Sequence, residues 1–96
     1  MSNSSDDSET HIRQSDTGHS FEVKAKGKVE IAEDDSDITN LSPGGYITIS
    51  ERTGGKAVTF EARSVNGTIE RKWSGLTGDA ERRQWLAGHL AQLRRR

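Results

Sequence analysis

The side chains with the most obvious chemical potential are acidic. Asp34, Asp35 and Asp37, followed by Asn40, place several oxygen donors in a short run, and calcium takes about six to eight such ligands. The alternation of Asp35, Asp37 and Thr39 suits ligation from one side of an extended segment. The run lacks the glycine and the distant bidentate glutamate of an EF-hand loop. The same residues also suit a solvated turn whose carboxylates bond nearby backbone N–H groups, with Asp37 capping a turn ahead of Ile38. Histidines are the next candidates. His11 and His19 lie in or beside an N-terminal tail and His89 lies in a C-terminal helix, a dispersion that matches no metal-binding spacing. Many serines and threonines are present, but none sits in a Gly-x-Ser-x-Gly turn between strand and helix. Cysteine is absent, which excludes a thiol nucleophile, a thiolate zinc site and a disulfide. The glycine pairs at 44–45 and 54–55 border strands and do not lead into a helix N-terminus, so they read as turns and not as a phosphate cradle. These patterns assign no catalytic residue, no cofactor and no metal ligand set. The chain reads as a protein without enzymatic activity.

Binding chemistry is better represented. Ten Lys/Arg against five Asp/Glu in residues 46–96 contrast with four against ten in residues 1–45. Arg94 to Arg96 give the C-terminal helix a basic end, to which Arg82 and Arg83 add positive charge, and this leaves a weak nucleic-acid binder as an alternative. The overall pI of about 6.3 argues against it, and basic residues in a last helical turn also complement the helix dipole.

What must position such residues is one small domain. Ninety-six residues allow no second core, and 29% hydrophobic against 30% charged leaves the first one sparse. Residues 1–17 contain only Met1 and Ile12 as apolar side chains, so they are expected to form a disordered acidic, serine-rich tail. Residues 18–96 then make the folding unit. No stretch approaches the roughly 20 apolar residues of a membrane span, and the N-terminus lacks the basic and apolar regions of an export signal. A cytoplasmic location is expected, although a processed form or a fragment of a longer protein would carry the same sequence.

Within that unit Phe21, Val23, Ala25, Gly27, Val29 and Ile31 alternate with Glu22, Lys24, Lys26, Lys28 and Glu30, the period of a half-buried strand. Gly27 occupies a position where a side chain would pack, which predicts a bend there. Residues 33–43 read as a connecting loop pinned to the core by Ile38 and Leu41, and Pro43-Gly44-Gly45 as a tight turn. Two hairpin turns follow, Gly54-Gly55 and Asn66-Gly67. If both loops have two residues, Thr53 opposes Lys56, Glu51 opposes Val58, Ile49 opposes Phe60, Val65 opposes Thr68, and Phe60 also opposes Trp73. Those registers gather Ile47, Ile49, Val58, Phe60, Ala62, Ile69 and Trp73 on one face, and a slip of one residue would scatter them. After Gly75 to Gly78, Asp79 is a plausible N-cap, and Leu86, Leu90 and Leu93 at i, i+4 and i+7 form a stripe for that face. The expected fold is α+β: a four-stranded antiparallel β-meander with one C-terminal α-helix packed on one face.

The opposite face then presents Tyr46, Thr48, Thr59, Glu61, Arg63, Glu70 and Lys72, a candidate partner-binding surface. An uncovered first strand would add a free edge for a partner strand or a homodimer, against which Lys24, Lys26 and Lys28 act as deterrents.

The wording Gly18-His19-Ser20-Phe21-Glu22-Val23, Gly27-Lys28-Val29-Glu30-Ile31, Asp34-Asp35-Ser36-Asp37-Ile38, Leu41-Ser42-Pro43-Gly44-Gly45-Tyr46 and Trp85-Leu86 resembles a small bacterial module found alone and in the non-catalytic portion of membrane sensor metallopeptidases similar to beta-lactam sensors. The resemblance spans about residues 18–96, and the run from Asp37-Ile38 through Leu41-Ser42-Pro43-Gly44-Gly45-Tyr46 is its most specific part. The His-Glu-x-x-His zinc motif of those peptidases is absent, and the turn ahead of the last helix is shortened to Gly75-Leu76-Thr77-Gly78. What the resemblance implies is a sensing or interaction module, without a substrate or a site. A non-enzymatic protein-interaction or regulatory module is therefore the leading expectation, with a small ligand-binding or metal-binding domain as the other alternative.

Overall fold

The structure, a computed structural model, describes residues 9–94. Its elements are β1 (Glu9–Asp16), β2 (His19–Lys26), β3 (Val29–Ile31), β4 (Ile38–Leu41), β5 (Tyr46–Thr53), β6 (Lys56–Val65), β7 (Thr68–Ser74) and α1 (Asp79–Arg94). Five strands form one antiparallel sheet in the order β1-β2-β5-β6-β7, and β3 and β4 form a separate two-stranded ribbon.

The α+β class, the antiparallel sheet and the single C-terminal helix agree with the sequence reading. The strand count does not. Seven strands stand where four were expected, for two reasons. The long alternating segment breaks at Gly27, which takes φ +83°, a left-handed conformation open to glycine. β2 stays in the main sheet while β3 leaves it and pairs with β4, so part of the expected 33–43 loop is a strand. At the other end, residues 9–16, assigned to the disordered tail, pair with β2 along their whole length, from Glu9 opposite Lys26 to Asp16 opposite His19. Residues 1–8 of that tail lie outside the described residues. The expected free edge on the first alternating strand is therefore covered, and the edges of the main sheet are β1 and β7.

Turn chemistry explains the sheet. Asn66 (φ +51°) and Gly67 (φ +82°) both take positive φ, the type I′ pattern that matches the twist of a hairpin. Gly45 N–H donates to Ser42 O across 2.8 Å with Gly44 at φ +77°, the type II turn that Pro43-Gly44 favours. The registers around β6 are those the turns dictate: Ile49 opposite Phe60, Glu51 opposite Val58, and Phe60 opposite Trp73.

One core results. Val23, Ile47, Ile49, Phe60 and Ala62 from the sheet are closed over by Leu86 and Leu90 of α1 and by Ile38 and Leu41 of the ribbon, with Leu93, Ile12 and Trp73 packed at its margin. The Leu86-Leu90-Leu93 stripe thus does what its spacing predicts. Asp79 lies inside the helix, because Gly78 O accepts the Arg82 N–H at 3.0 Å and so occupies the cap position expected for Asp79.

Two arginines fasten the ribbon at its turn end, where Ile31 lies opposite Ile38. Arg71 of β7 donates to both Asp37 carboxylate oxygens (Nε 2.9 Å, Nη2 3.1 Å) and to Ile38 O (2.9 Å). Arg94 of α1 donates to Ile31 O (3.1 Å) and Ala32 O (2.7 Å). Its Nε also lies 2.9 Å from Asp35 Oδ1, an ion pair by distance without the alignment of a hydrogen bond.

Candidate functional site

The seven residues expected on a partner-binding face lie on one face of the main sheet. Cross-strand pairing sets them in three adjacent rows: Lys26, Tyr46, Arg63 and Glu70; Lys24, Thr48, Glu61 and Lys72; and Glu22, Ser50 and Thr59. Neither α1 nor the ribbon covers this side, and Thr59, Arg63, Glu70 and Lys72 are exposed. Charges of both signs are interspersed in the rows, and Arg63 lies 2.9 Å from Glu61. Glu22 is held by His11 Nε2 at 2.5 Å and, more loosely, by Arg13. The His11 hydrogen bond, the largest influence, joins the nearby positive charges in keeping the Glu22 carboxyl below its ordinary value against the opposing effect of burial. Where the rows turn to small side chains, Ser20, Ser50, Ala57 and Thr59 floor a shallow hollow of about 370 Å³ flanked by Arg13 and Arg52.

The acidic run is engaged internally. Asp34 Oδ1 accepts from Ser36 N–H (3.1 Å) and Ser36 Oγ (2.6 Å), and those bonds lower its carboxyl below its usual range. Asp35 and Asp37 face Arg94 and Arg71, and Asp37 Oδ1 also accepts the Ile38 N–H at 2.8 Å. The carboxylates proposed as calcium ligands thus serve as turn caps and arginine partners. The basic helix end is dispersed in the same way. Arg94 fastens the ribbon, Arg82 bonds Leu76 O at 2.9 Å while its guanidinium lies 5.4 Å from the Trp73 ring centre, and Arg95 and Arg96 lie outside the described residues.

A cluster that sequence reading missed joins α1 to the sheet. Glu51 of β5 accepts the Trp85 indole N–H at Oε1 (2.6 Å) and is approached by His89 Nε2 at Oε1 (3.2 Å) and by His19 Nε2 at Oε2 (2.7 Å). Because a carboxylate only accepts, both imidazoles present Nε2–H to it. The Glu51 side chain is 21% exposed, His89 9% and His19 45%. Burial, the largest single influence, pushes the Glu51 carboxyl up, and the bonds from His19, Trp85 and His89 together outweigh it, so it lies below its ordinary value. His89 packs against Trp85 (ring centres 4.6 Å apart) and Phe21 (5.3 Å), and its Nδ1 is buried without a hydrogen-bond partner.

Two signals for this cluster were present in the sequence. The predicted register put Glu51 opposite Val58, on the core face, where a carboxylate needs partners. His89 falls at the i+3 position of the Leu86 stripe, on its buried side. The two imidazoles address different oxygens, so they bracket the carboxylate. Among the described residues no group of three His, Asp or Glu side chains is arranged to hold a metal ion, and no helix is long and apolar enough to cross a membrane.

Compared with protein-family models, curated proteins and solved structures, the chain matches none.

Proposed function

We propose that the protein is a non-enzymatic interaction module of the regulatory or sensing kind, which engages a protein partner through the uncovered face of its main sheet. The observation that carries this reading is the one-sidedness of the architecture. Helix and ribbon both pack on the same face, while Tyr46, Thr48, Thr59, Glu61, Arg63, Glu70 and Lys72 form a continuous patch on the other. Interspersed charges of both signs suit a specific polar interface, in which they fix register and disfavour mismatched partners. The likeness to a bacterial sensing module points the same way. A homodimer through a sheet edge would have to use β1 or β7.

Photo-crosslinking in the native cell tests the proposal. A crosslinker placed at Thr59 or Lys72 should yield a defined adduct that disappears when Arg63 is changed to Glu. The same crosslinker at Gln84, an exposed residue of α1, should yield none. Adducts of equal pattern from all three positions would rule out the sheet face as the interface.

A further inference from the structure

On the uncovered face of the main sheet, two arginines and four hydroxyls border one hollow. Pairing places Arg13 opposite Glu22, and Ser15 opposite Ser20, which in turn faces Arg52. Only β2 separates the strands that carry the two arginines, so their backbones lie roughly 12 Å apart, two strand spacings across the sheet and one side-chain step along it. Between them the surface is low, because Ser20, Ser50, Ala57 and Thr59 are small, and this makes the hollow of about 370 Å³. Among the described residues, the Arg52 guanidinium and the hydroxyls of Ser15, Ser20, Ser50 and Thr59 bond no other protein group, and Arg13 reaches Glu22 only at 3.5 Å. Glu22 has a nearer partner in His11, at 2.5 Å. Phe21 and Glu51 also border the hollow, but their side chains alternate to the other face, where Phe21 joins the core and Glu51 meets α1.

We propose that this hollow receives the phosphoryl group of a phosphorylated serine or threonine on the protein partner. This role rests on the uncovered face being the partner surface, and it specifies what the partner carries. A phosphorylated side chain brings about −1.5 to −2 charge near pH 7 and three strong acceptor oxygens. Guanidinium groups meet such oxygens with paired, charge-assisted hydrogen bonds. Hydroxyls from β1, β2, β5 and β6 can turn their hydrogens toward the remaining lone pairs. A carboxylate presents two oxygens in one plane and would leave most of these donors idle. The hollow is shallow, which suits the short stem of serine or threonine better than the long phenol of tyrosine. Nucleic acids present phosphates in a run and reward a line of cations. Here Glu22 borders the hollow, and the next row mixes Lys24 and Lys72 with Glu61.

An equimolar mixture of two degenerate peptide libraries, one centred on phosphoserine and one on serine, can be passed over the immobilised full chain. Mass spectrometry of the retained peptides should show the phosphorylated library enriched about a hundredfold, with each arginine supplying roughly a factor of ten. Arg13→Gln and Arg52→Gln should each lower the enrichment to about tenfold, and the double variant should show almost none. Arg13 and Arg52 are exposed, so these variants should keep the wild-type melting temperature. Arg83→Gln, which removes the same charge from an exposed position of α1, should leave the enrichment unchanged. Equal retention of both libraries, retention of neither, or a preference that survives in the double variant would overturn the phosphoryl site. So would a single-stranded oligonucleotide that outcompetes the phosphoserine library and is lost in the same double variant. A native-cell adduct from Lys72 that persists in the double variant would overturn the phosphoryl contact while leaving the uncovered face as the partner surface. Adducts of equal pattern from Lys72 and Gln84 would overturn that surface itself.

Discussion

Trp85 of α1 donates its indole N–H to the carboxylate of Glu51 on β5 across 2.6 Å, placing a charge-assisted hydrogen bond at the rim of an otherwise apolar contact between helix and sheet. The bond explains how a carboxylate comes to sit on the core face. Its charge is met by three N–H donors from residues 32 to 38 positions away in the chain.

Removing the acceptor should cost more than removing one donor. Glu51→Ala strands three donors, two of them on the helix, and is expected to destabilise the protein by about 1–3 kcal/mol. Trp85→Phe keeps most of the apolar contact and forfeits one bond, for roughly 1 kcal/mol. Urea denaturation with an unchanged slope should rank wild type above Trp85→Phe, and Trp85→Phe above Glu51→Ala. Wild-type stability in Glu51→Ala would show that these bonds add nothing.

The depressed Glu51 carboxyl sets the acid limb of stability. Its folded value lies below the ordinary 4.5, so its contribution is fully present above about pH 4.5 and is lost as pH falls through the lower, folded value. Melting temperature measured from pH 6 down to pH 3 should drop more steeply in the wild type than in Glu51→Gln, which has no proton to take up there. Parallel curves would exclude Glu51 as a contributor.

Glycine-to-alanine changes should have opposite signs at two sites. Gly67 holds φ +82° in the type I′ turn, and Gly67→Ala should cost about 1–2 kcal/mol. Gly88 lies within α1, and a Cβ built there would meet nothing within 4 Å. Gly88→Ala should therefore stabilise the helix by about 0.5–1 kcal/mol. Thermal melts of the two variants should move to either side of the wild type.

Phe60 is 1% exposed and packs against Trp73 with ring centres 4.6 Å apart and the rings tilted by 50°. Phe60→Ala should cost roughly 3–5 kcal/mol, which in a domain this small approaches complete unfolding. Trp73 is only half-buried at the margin of the core, so Trp73→Ala should cost less. Chemical denaturation monitored by circular dichroism would check the order, and a mild effect at Phe60 would contradict its central place.

Much of the scaffold was legible before any coordinates. Asn66-Gly67 and Gly54-Gly55 each set a two-residue loop, and once a loop length is known the alternation of side chains fixes every pair along the hairpin. The residues of the uncovered sheet face followed from the same arithmetic. β1 was not legible, because Ile12 is its only apolar residue packed against the core. Its order comes from backbone pairing with β2, and that leaves no trace in composition. The ribbon was hidden by its shortness, with Ile38 and Leu41 visible only as anchors.

Read alone, the sequence determined what depends on a few neighbouring residues: turn conformations, the buried face of each long strand, the helix stripe, and the absence of a recognisable catalytic pattern. Tertiary structure decided which strands lie side by side, and with that which polar groups meet. Alternation tells a strand which side is buried and says nothing about its neighbour. Only the placement of β2 beside β5, and of α1 across both, brings His19 and His89 to Glu51, Arg94 to Asp35 and Arg71 to Asp37. Contacts between residues so far apart in the chain are set by the closure of a shared core, which no local preference encodes.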